Sequence, residues 1–263
     1  MNDLRVLFRH RQLIAALTAR DLKARYRGSL LGYFWSLANP LLLLGVYTVV
    51  FTKFFPQQVV TPYPLFLFSG ILPWTFFAAA VLESTNAISG NAGLIKKVMF
   101  PAEALPLVVV FSHLVHFALA IPVFLAAALL FALFGTSTLS MTILLVPVLM
   151  FVQTLFVAGI ALTVSSASVL FRDLRDIITN FMQLGFFVTP IIYLIDHIGS
   201  KPLRALLRLN PMTPFVVAYQ DVMFFGKLPS LADTLLMLAY ATVSLLVGFT
   251  VFDRLRDTLA EAI

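Results

Sequence analysis

Apolar positions along this chain form long unbroken runs rather than the strict alternation of a half-buried strand or the one-sided stripe of a soluble helix. Runs free of Asp, Glu, Lys and Arg recur at about the 20 residues a helix needs to cross a hydrocarbon layer roughly 30 Å thick. They predict spans at residues 30–52, 64–82, 104–134, 139–170, 177–195 and 232–252, the last starting just ahead of its uncharged run at 234–252. The third and fourth come from one uncharged run, folded back at its single polar turn signal, Gly135-Thr136-Ser137-Thr138. Pro190 truncates or kinks the fifth, which also holds Gln183 and Thr189. The pattern predicts an all-α integral membrane protein, a single domain over residues 1–263 with six transmembrane helices per protomer.

The segments between the spans have patterns of their own. Residues 4–27 lack a helix breaker and are amphipathic, with Leu4, Leu7, Phe8, Ile14 and Leu17 recurring at helical intervals and basic residues on other faces. This predicts a helix lying in the membrane interface, ended by Gly28-Ser29, with Asp21 and Arg25 placed for an i,i+4 pair. In the outer loop, 196–230, Lys201-Pro202 opens a short helix that Asn210-Pro211 stops. The apolar stretch from Thr213-Pro214 to Phe225 is too short to cross, so it re-enters from outside or lies on the surface. Two short helices at an outer mouth suggest a gate, with Pro190, Pro211, Met212 and Pro214 at its joints, although an ordinary interfacial loop fits as well. The loop at 84–100 leads into ISGNAGLIKKVMFPAEALP, which packs small residues, an apolar pair and two lysines before Pro101.

Composition and charge narrow the class. The chain is 60% apolar and 11% charged, where soluble domains carry about 25% charged residues. With the N-terminus inside, thirteen of the 18 Lys and Arg residues fall in cytoplasmic segments, a positive-inside bias that puts both termini in the cytoplasm. The net charge of +6 is then topology and anionic-lipid contact, not a nucleic-acid footprint. There is no Cys, hence no disulfide or thiolate chemistry. The basic N-terminus lacks the short apolar core of a cleavable signal peptide.

Candidate chemistry is sparse. No GxxxxGK[ST] string occurs, so any ATP work belongs to a partner. His113 and His116 sit i,i+3 inside a span, where polar groups usually bond a neighbouring helix or line a cavity, and with His10 and His197 elsewhere no metal set is expected. Glu83 and Glu103 lie near cytoplasmic ends and form no paired catalytic site. Phe171-Arg172-Asp173-Leu174-Arg175-Asp176 reads as a short cytoplasmic turn. Arg20, Lys23, Arg25 and Arg27 serve either topology and lipid phosphate or a collar for a substrate diphosphate. Tyr33, Pro40, Leu44, Tyr47 and Phe51 share one face of the first span, a stripe suited to helix packing or to stacking on sugars.

Several stretches resemble the membrane subunits of ABC-type polysaccharide exporters. They are Arg20-Asp21-Leu22-Lys23-Ala24-Arg25-Tyr26, Leu31-Gly32-Tyr33-Phe34-Trp35 with Asn39-Pro40, Asn91-Ala92-Gly93-Leu94-Ile95-Lys96-Lys97 with Phe100-Pro101, Phe171-Arg172-Asp173, Thr189-Pro190-Ile191 and Leu209-Asn210-Pro211-Met212-Thr213-Pro214. The resemblance runs in order from about Leu13 to Phe252. It implies a homodimer in the bacterial inner membrane that joins two ATP-binding cassette subunits and moves a polyprenyl-diphosphate-linked glycan outward. ATP and Mg would bind those partners; this chain would hold no cofactor, metal or catalytic residue of its own. The resemblance makes residues 84–100 the loop carrying a cytoplasmic coupling helix, with Ile88, Asn91, Gly93, Leu94, Ile95, Lys96 and Lys97 docking on the ATPase. It makes the N-terminal helix a gate beside the lipid head group, the outer helices a periplasmic gate, and Tyr33, Tyr47 and Phe51 channel aromatics. An exporter of another lipid or a drug shares much of this pattern; a membrane-embedded transferase on lipid-linked sugars, with His113 or His116 as base, is the enzyme alternative.

Overall fold

The computed structural model describes residues 11–28, 35–54, 60–93, 101–135, 140–171 and 173–262. Among them every regular element is helical, and all fall in chain order. Helix α1 covers Arg11–Tyr26 and ends at Gly28, whose φ of 81° a side-chain-bearing residue would resist. Helix α2, Trp35–Val49, runs on into a π-turn at Val50–Phe54. Then come α3 (Tyr63–Ser84), α4 (Ala104–Leu133), α5 (Val146–Leu170), α6 (Leu174–Val188), α7 (Lys201–Arg208), α8 (Thr213–Gln220) and α9 (Leu231–Ala262).

The ends of these helices follow local chemistry. The N-terminus of α9 is set by Ser230, whose Oγ accepts from the Asp233 amide at 3.0 Å and donates to the Asp233 carboxylate at 2.6 Å. Pro202 and Pro214 stand in the first turns of α7 and α8, where a missing amide costs nothing. Helix α6 stops at Val188, short of the 177–195 span, because Thr189 precedes a proline and is driven to extended backbone, φ −89° and ψ 138°.

Four helical stretches are long and apolar enough to cross a membrane: Tyr63–Ser84, Ala104–Leu133, Met141–Leu170 and Leu231–Arg256. The chain is thus a multi-pass membrane protein. The first and fifth expected spans are shorter: α2 has fifteen helical residues before its π-turn, and α6 has fifteen in all.

Helix α3 is the shaft of the molecule. Residues on all its sides are buried, from Leu65, Phe66, Leu67 and Phe68 to Phe76, Phe77, Ala80 and Val81. Stacked rings carry its packing outward: Phe76 on Phe117 at 5.5 Å, Phe77 on Phe156 at 5.8 Å, and Phe156 on Phe215 at 5.1 Å. Lipid tails are as apolar as leucine, so this order is held by close packing and polar bonds rather than by escape from water. Helices α5 and α9 make the tightest crossing. A Cβ added at Gly159 would lie 2.2 Å from the backbone of Ser244, and one added at Gly248 would lie 2.4 Å from the Gly159 carbonyl oxygen. The Ser244 hydroxyl donates across that contact to the Phe156 carbonyl at 2.6 Å. By contrast, α2 leaves Leu41, Leu42, Val46 and Val49 exposed, and α6 leaves Phe181, Leu184 and Phe187 exposed.

Candidate functional site

Three polar regions and one aromatic series stand out, and each gathers residues that the sequence pattern singled out. The first is the end of the molecule where α1 meets α3 and α4. Ile14, Thr18 and Leu22 form the buried stripe of α1, with Ile14 and Leu17 packed on Ala104, Leu107 and Val108 of α4. Thr18 tolerates that position because its hydroxyl returns to the Ile14 carbonyl at 2.9 Å. Arg20, Lys23 and Arg27 are exposed. Arg25 is not free: it bonds Asp21 at 3.0 Å, as the i,i+4 spacing anticipates, and pairs with Glu83 in the last turn of α3. Burial works against its charge, but the Asp21 bond and the Glu83 charge together hold its pKa above the ordinary guanidinium value. The other oxygen of Glu83 meets His113 of α4 at 2.7 Å.

This charged group divides two clefts. One, of about 400 Å³, is lined by Arg25, Trp35, Asn39, His113, His116 and Phe117. The other, of about 280 Å³, lies between Arg20, Asp21 and Ala24 of α1 and Asn86, Gly90 and Asn91 beyond α3. Among the described residues no three His, Asp or Glu side chains are arranged to hold a metal ion.

The second region is that turn after α3. It is wound into a short 3-10 segment at Ser89–Asn91, with Gly90 N bonded to the Asn86 carbonyl and Asn91 Nδ2 to the Ala87 carbonyl at 2.8 Å. Ile88 is completely buried against Leu162 and Phe252, so it anchors the turn from within instead of presenting a docking face. Ser168 of α5 adds a bond to the Thr85 carbonyl at 2.5 Å. Gly93 is exposed with no atom near its missing Cβ. Leu94, Ile95, Lys96 and Lys97 lie outside the described residues, as does the aromatic candidate Tyr33.

The third region joins α6, α7 and α8 at the opposite end. Asn210 ties two of the sequence motifs together: its Nδ2 donates to Thr189 Oγ1 at 2.8 Å, and its Oδ1 accepts from the Met212 amide at 3.0 Å. Thr213 closes α7 by donating to the Leu207 carbonyl at 2.7 Å. The carbonyls freed where α6 breaks are met by side chains, Pro190 by Gln220 of α8 at 2.9 Å and Ile192 by Tyr63 of α3 at 2.7 Å. Pro190, Met212 and Pro214 are buried in this junction; Pro211 is on its surface.

Tyr47 and Phe51 begin a longer aromatic series than periodicity in α2 could reveal. Their rings are 6.3 Å apart, and contacts continue from Phe51 to Tyr63 at 4.5 Å, to Phe66 at 5.8 Å and to Phe224 at 5.6 Å. Tyr63, Phe66 and Phe224 belong to other elements, and only the fold aligns them with α2. Glu83 and His113 were likewise readable as residues but not as partners, being 30 positions apart.

Comparison with known proteins agrees with this architecture. Residues 12–224 match the family model described as ABC-2 type transporter. The chain is 35% identical to the O-antigen export system permease protein RfbA of Myxococcus xanthus over 260 residues, covering 98% of both chains. It is 32% identical to an O-antigen export system permease protein RfbA of Klebsiella pneumoniae, covering 95% of this chain and 94% of that one. Its identity to the polysialic acid transport protein KpsM of Escherichia coli is 20%, covering 91% and 92%. A helical multi-pass chain matched over almost its whole length in this way belongs to the ABC-2 type transporter membrane family.

Proposed function

We propose that this chain is the channel-forming membrane subunit of an ATP-driven exporter that moves a polysaccharide, carried on a polyprenyl diphosphate, across the bacterial inner membrane. The observation that carries the reading is the near end-to-end similarity to O-antigen export permeases. The chain works as a homodimer with two ATP-binding cassette subunits, which supply ATP and Mg. Its protomer crosses six times, both termini being cytoplasmic. For α6 that means about 22 Å of helix completed by the buried turn at Thr189, Pro190 and Ile191, a form of irregular backbone membranes tolerate inside protein.

Residues 84–100 are the coupling loop that docks on the ATPase through Asn91, Gly93, Leu94, Ile95, Lys96 and Lys97, while Ile88 fixes the loop to the body. Arg20 and Lys23, exposed on α1, and Arg27 just beyond it meet the diphosphate, while Arg25 shapes the helix end. Tyr47, Phe51 and the rings that follow them offer faces on which sugars stack. The junction around Pro190, Pro211, Met212 and Pro214 is the outer gate.

The test is deletion followed by analysis of lipid-linked glycan on each side of the membrane. Intact glycan trapped in the cytoplasmic leaflet, and released by the wild-type gene but not by Leu94→Asp with Ile95→Asp, supports the reading. Unchanged surface polysaccharide after deletion rejects it.

A further inference from the structure

The charged group at the end of α3 lies between two parts of the molecule to which the proposed function gives separate tasks. Glu83 is the penultimate residue of α3, directly ahead of the turn that opens the coupling loop. One carboxylate oxygen is taken by Arg25 of α1 and the other by His113 of α4. His113 thereby fixes the plane of the carboxylate and leaves its second oxygen aimed at α1. Arg25 in turn is steadied by Asp21 on its own helix.

Both sides of this link are stiff. The turn from Thr85 to Asn91 continues the winding of α3 through a ladder of backbone bonds, and Ile88 is locked between α5 and α9. Near its start α1 rests on α4 through apolar contacts of Ile14 and Leu17. Near its end, what joins it to α3 is ionic, and the 280 Å³ cleft beside the link leaves α1 room to tilt about its apolar seat.

We infer that Glu83 is a positioning residue that carries movement of the coupling turn to the interface helix α1, by way of Arg25. The inference rests on the reading of residues 84–100 as the loop that docks on the ATPase. A shift of the turn displaces Glu83, Glu83 draws Arg25, and the exposed cationic face of α1 swings with it. Nucleotide state in the partner would then be felt where a lipid phosphate arrives, and contact there would be felt by the ATPase.

The experiment uses the full complex of this chain with its ATP-binding partner in lipid nanodiscs. The chain has no Cys, so Ala19→Cys, at an exposed position of α1, takes a single environment-sensitive fluorophore. Trapping the partner with ADP and vanadate should shift the emission of the parent. Glu83→Ala should reduce that shift at least about four-fold and Glu83→Gln about two-fold, with co-purification of the partner unchanged. Arg25→Ala should match Glu83→Ala, and the double variant should lose no more than either single one, because both break the same link. A full-sized shift in Glu83→Ala, or losses that add in the double variant, overturns the inference. Asn91→Cys cross-linking to the ATP-binding subunit separates the two claims. Cross-linking without any shift in the parent overturns the Glu83 link alone, and the absence of both overturns the coupling reading with it.

Discussion

Replacing Asn210 by Ala should destabilise the fold by about 2–3 kcal/mol. The side chain makes two hydrogen bonds, to Thr189 Oγ1 and from the Met212 amide, each worth about 1 kcal/mol net, and truncation also strands a buried donor. Met212 is 2% accessible, so water does not readily replace the lost acceptor. That cost corresponds to roughly a 30- to 150-fold change in the unfolding equilibrium, readable as a shift in the SDS fraction that half-unfolds the protein in mixed micelles. Asn210→Asp provides the sharper arm. A carboxylate still accepts from Met212, but its other oxygen faces Thr189 Oγ1, whose hydrogen is committed to the Gly185 carbonyl at 2.7 Å. Two acceptors then confront each other, and only a protonated Asp can donate. The folded state therefore raises the pKa of the introduced group, and stability relative to the parent must recover as pH falls. Equal stability of Asn210→Asp and the parent at pH 7, or recovery with rising pH, would refute the bonding pattern.

Two further outcomes concern packing and titration. Gly159→Ala should cost about 3 kcal/mol, the upper part of the usual overpacking range, because its Cβ would meet the backbone of Ser244 as well as its hydroxyl, and the backbone cannot swing aside. Gly45→Ala, with nothing within 4 Å, serves as the control, and similar unfolding midpoints for the two would contradict the close crossing. Burial and the charge of Asp233 push the Asp221 carboxyl up to about 6, with Lys227 pulling it down and Asp196 adding to the rise. Between its ordinary 3.8 and about 6 the folded chain holds a proton that the unfolded chain has released, so stability should fall as pH rises through that window. Asp221→Asn should flatten this slope; an unchanged slope would assign it to another group.

Which long stretches are apolar enough to cross a membrane was legible in the sequence, but neighbourhood was not. Runs of apolar residues located the stretches that became α3, α4, α5 and α9, because length and absence of charge report directly on crossing. They say little about which face meets protein, since Phe66 in the core and Phe181 on the surface are equally apolar. For the same reason the buried stripe of α1 includes Thr18, a residue a hydropathy pattern discards. Ile88, which the resemblance counts among the ATPase-docking residues, points inward, since its partners Leu162 and Phe252 come from helices far along the chain. The proline motifs were more informative: Thr189-Pro190 and Asn210-Pro211 mark breaks, and broken backbone needs side-chain partners. Which partners would answer, Gln220 for Pro190 and Tyr63 for Ile192, required the fold.

The central place of α3 also orders events during synthesis. Gln153, whose amide meets the Pro73 carbonyl at 2.8 Å, lies 80 residues downstream, and Ile192, which receives the Tyr63 hydroxyl, lies 129 downstream. At roughly 5–20 residues per second, the Pro73 carbonyl waits several seconds before Gln153 is translated, and the Tyr63 hydroxyl waits longer for Ile192. For that interval Tyr63 and the carbonyl of Pro73 lack these partners. The helix that ends as the innermost element is therefore among the first to be made and among the last to be fully enclosed.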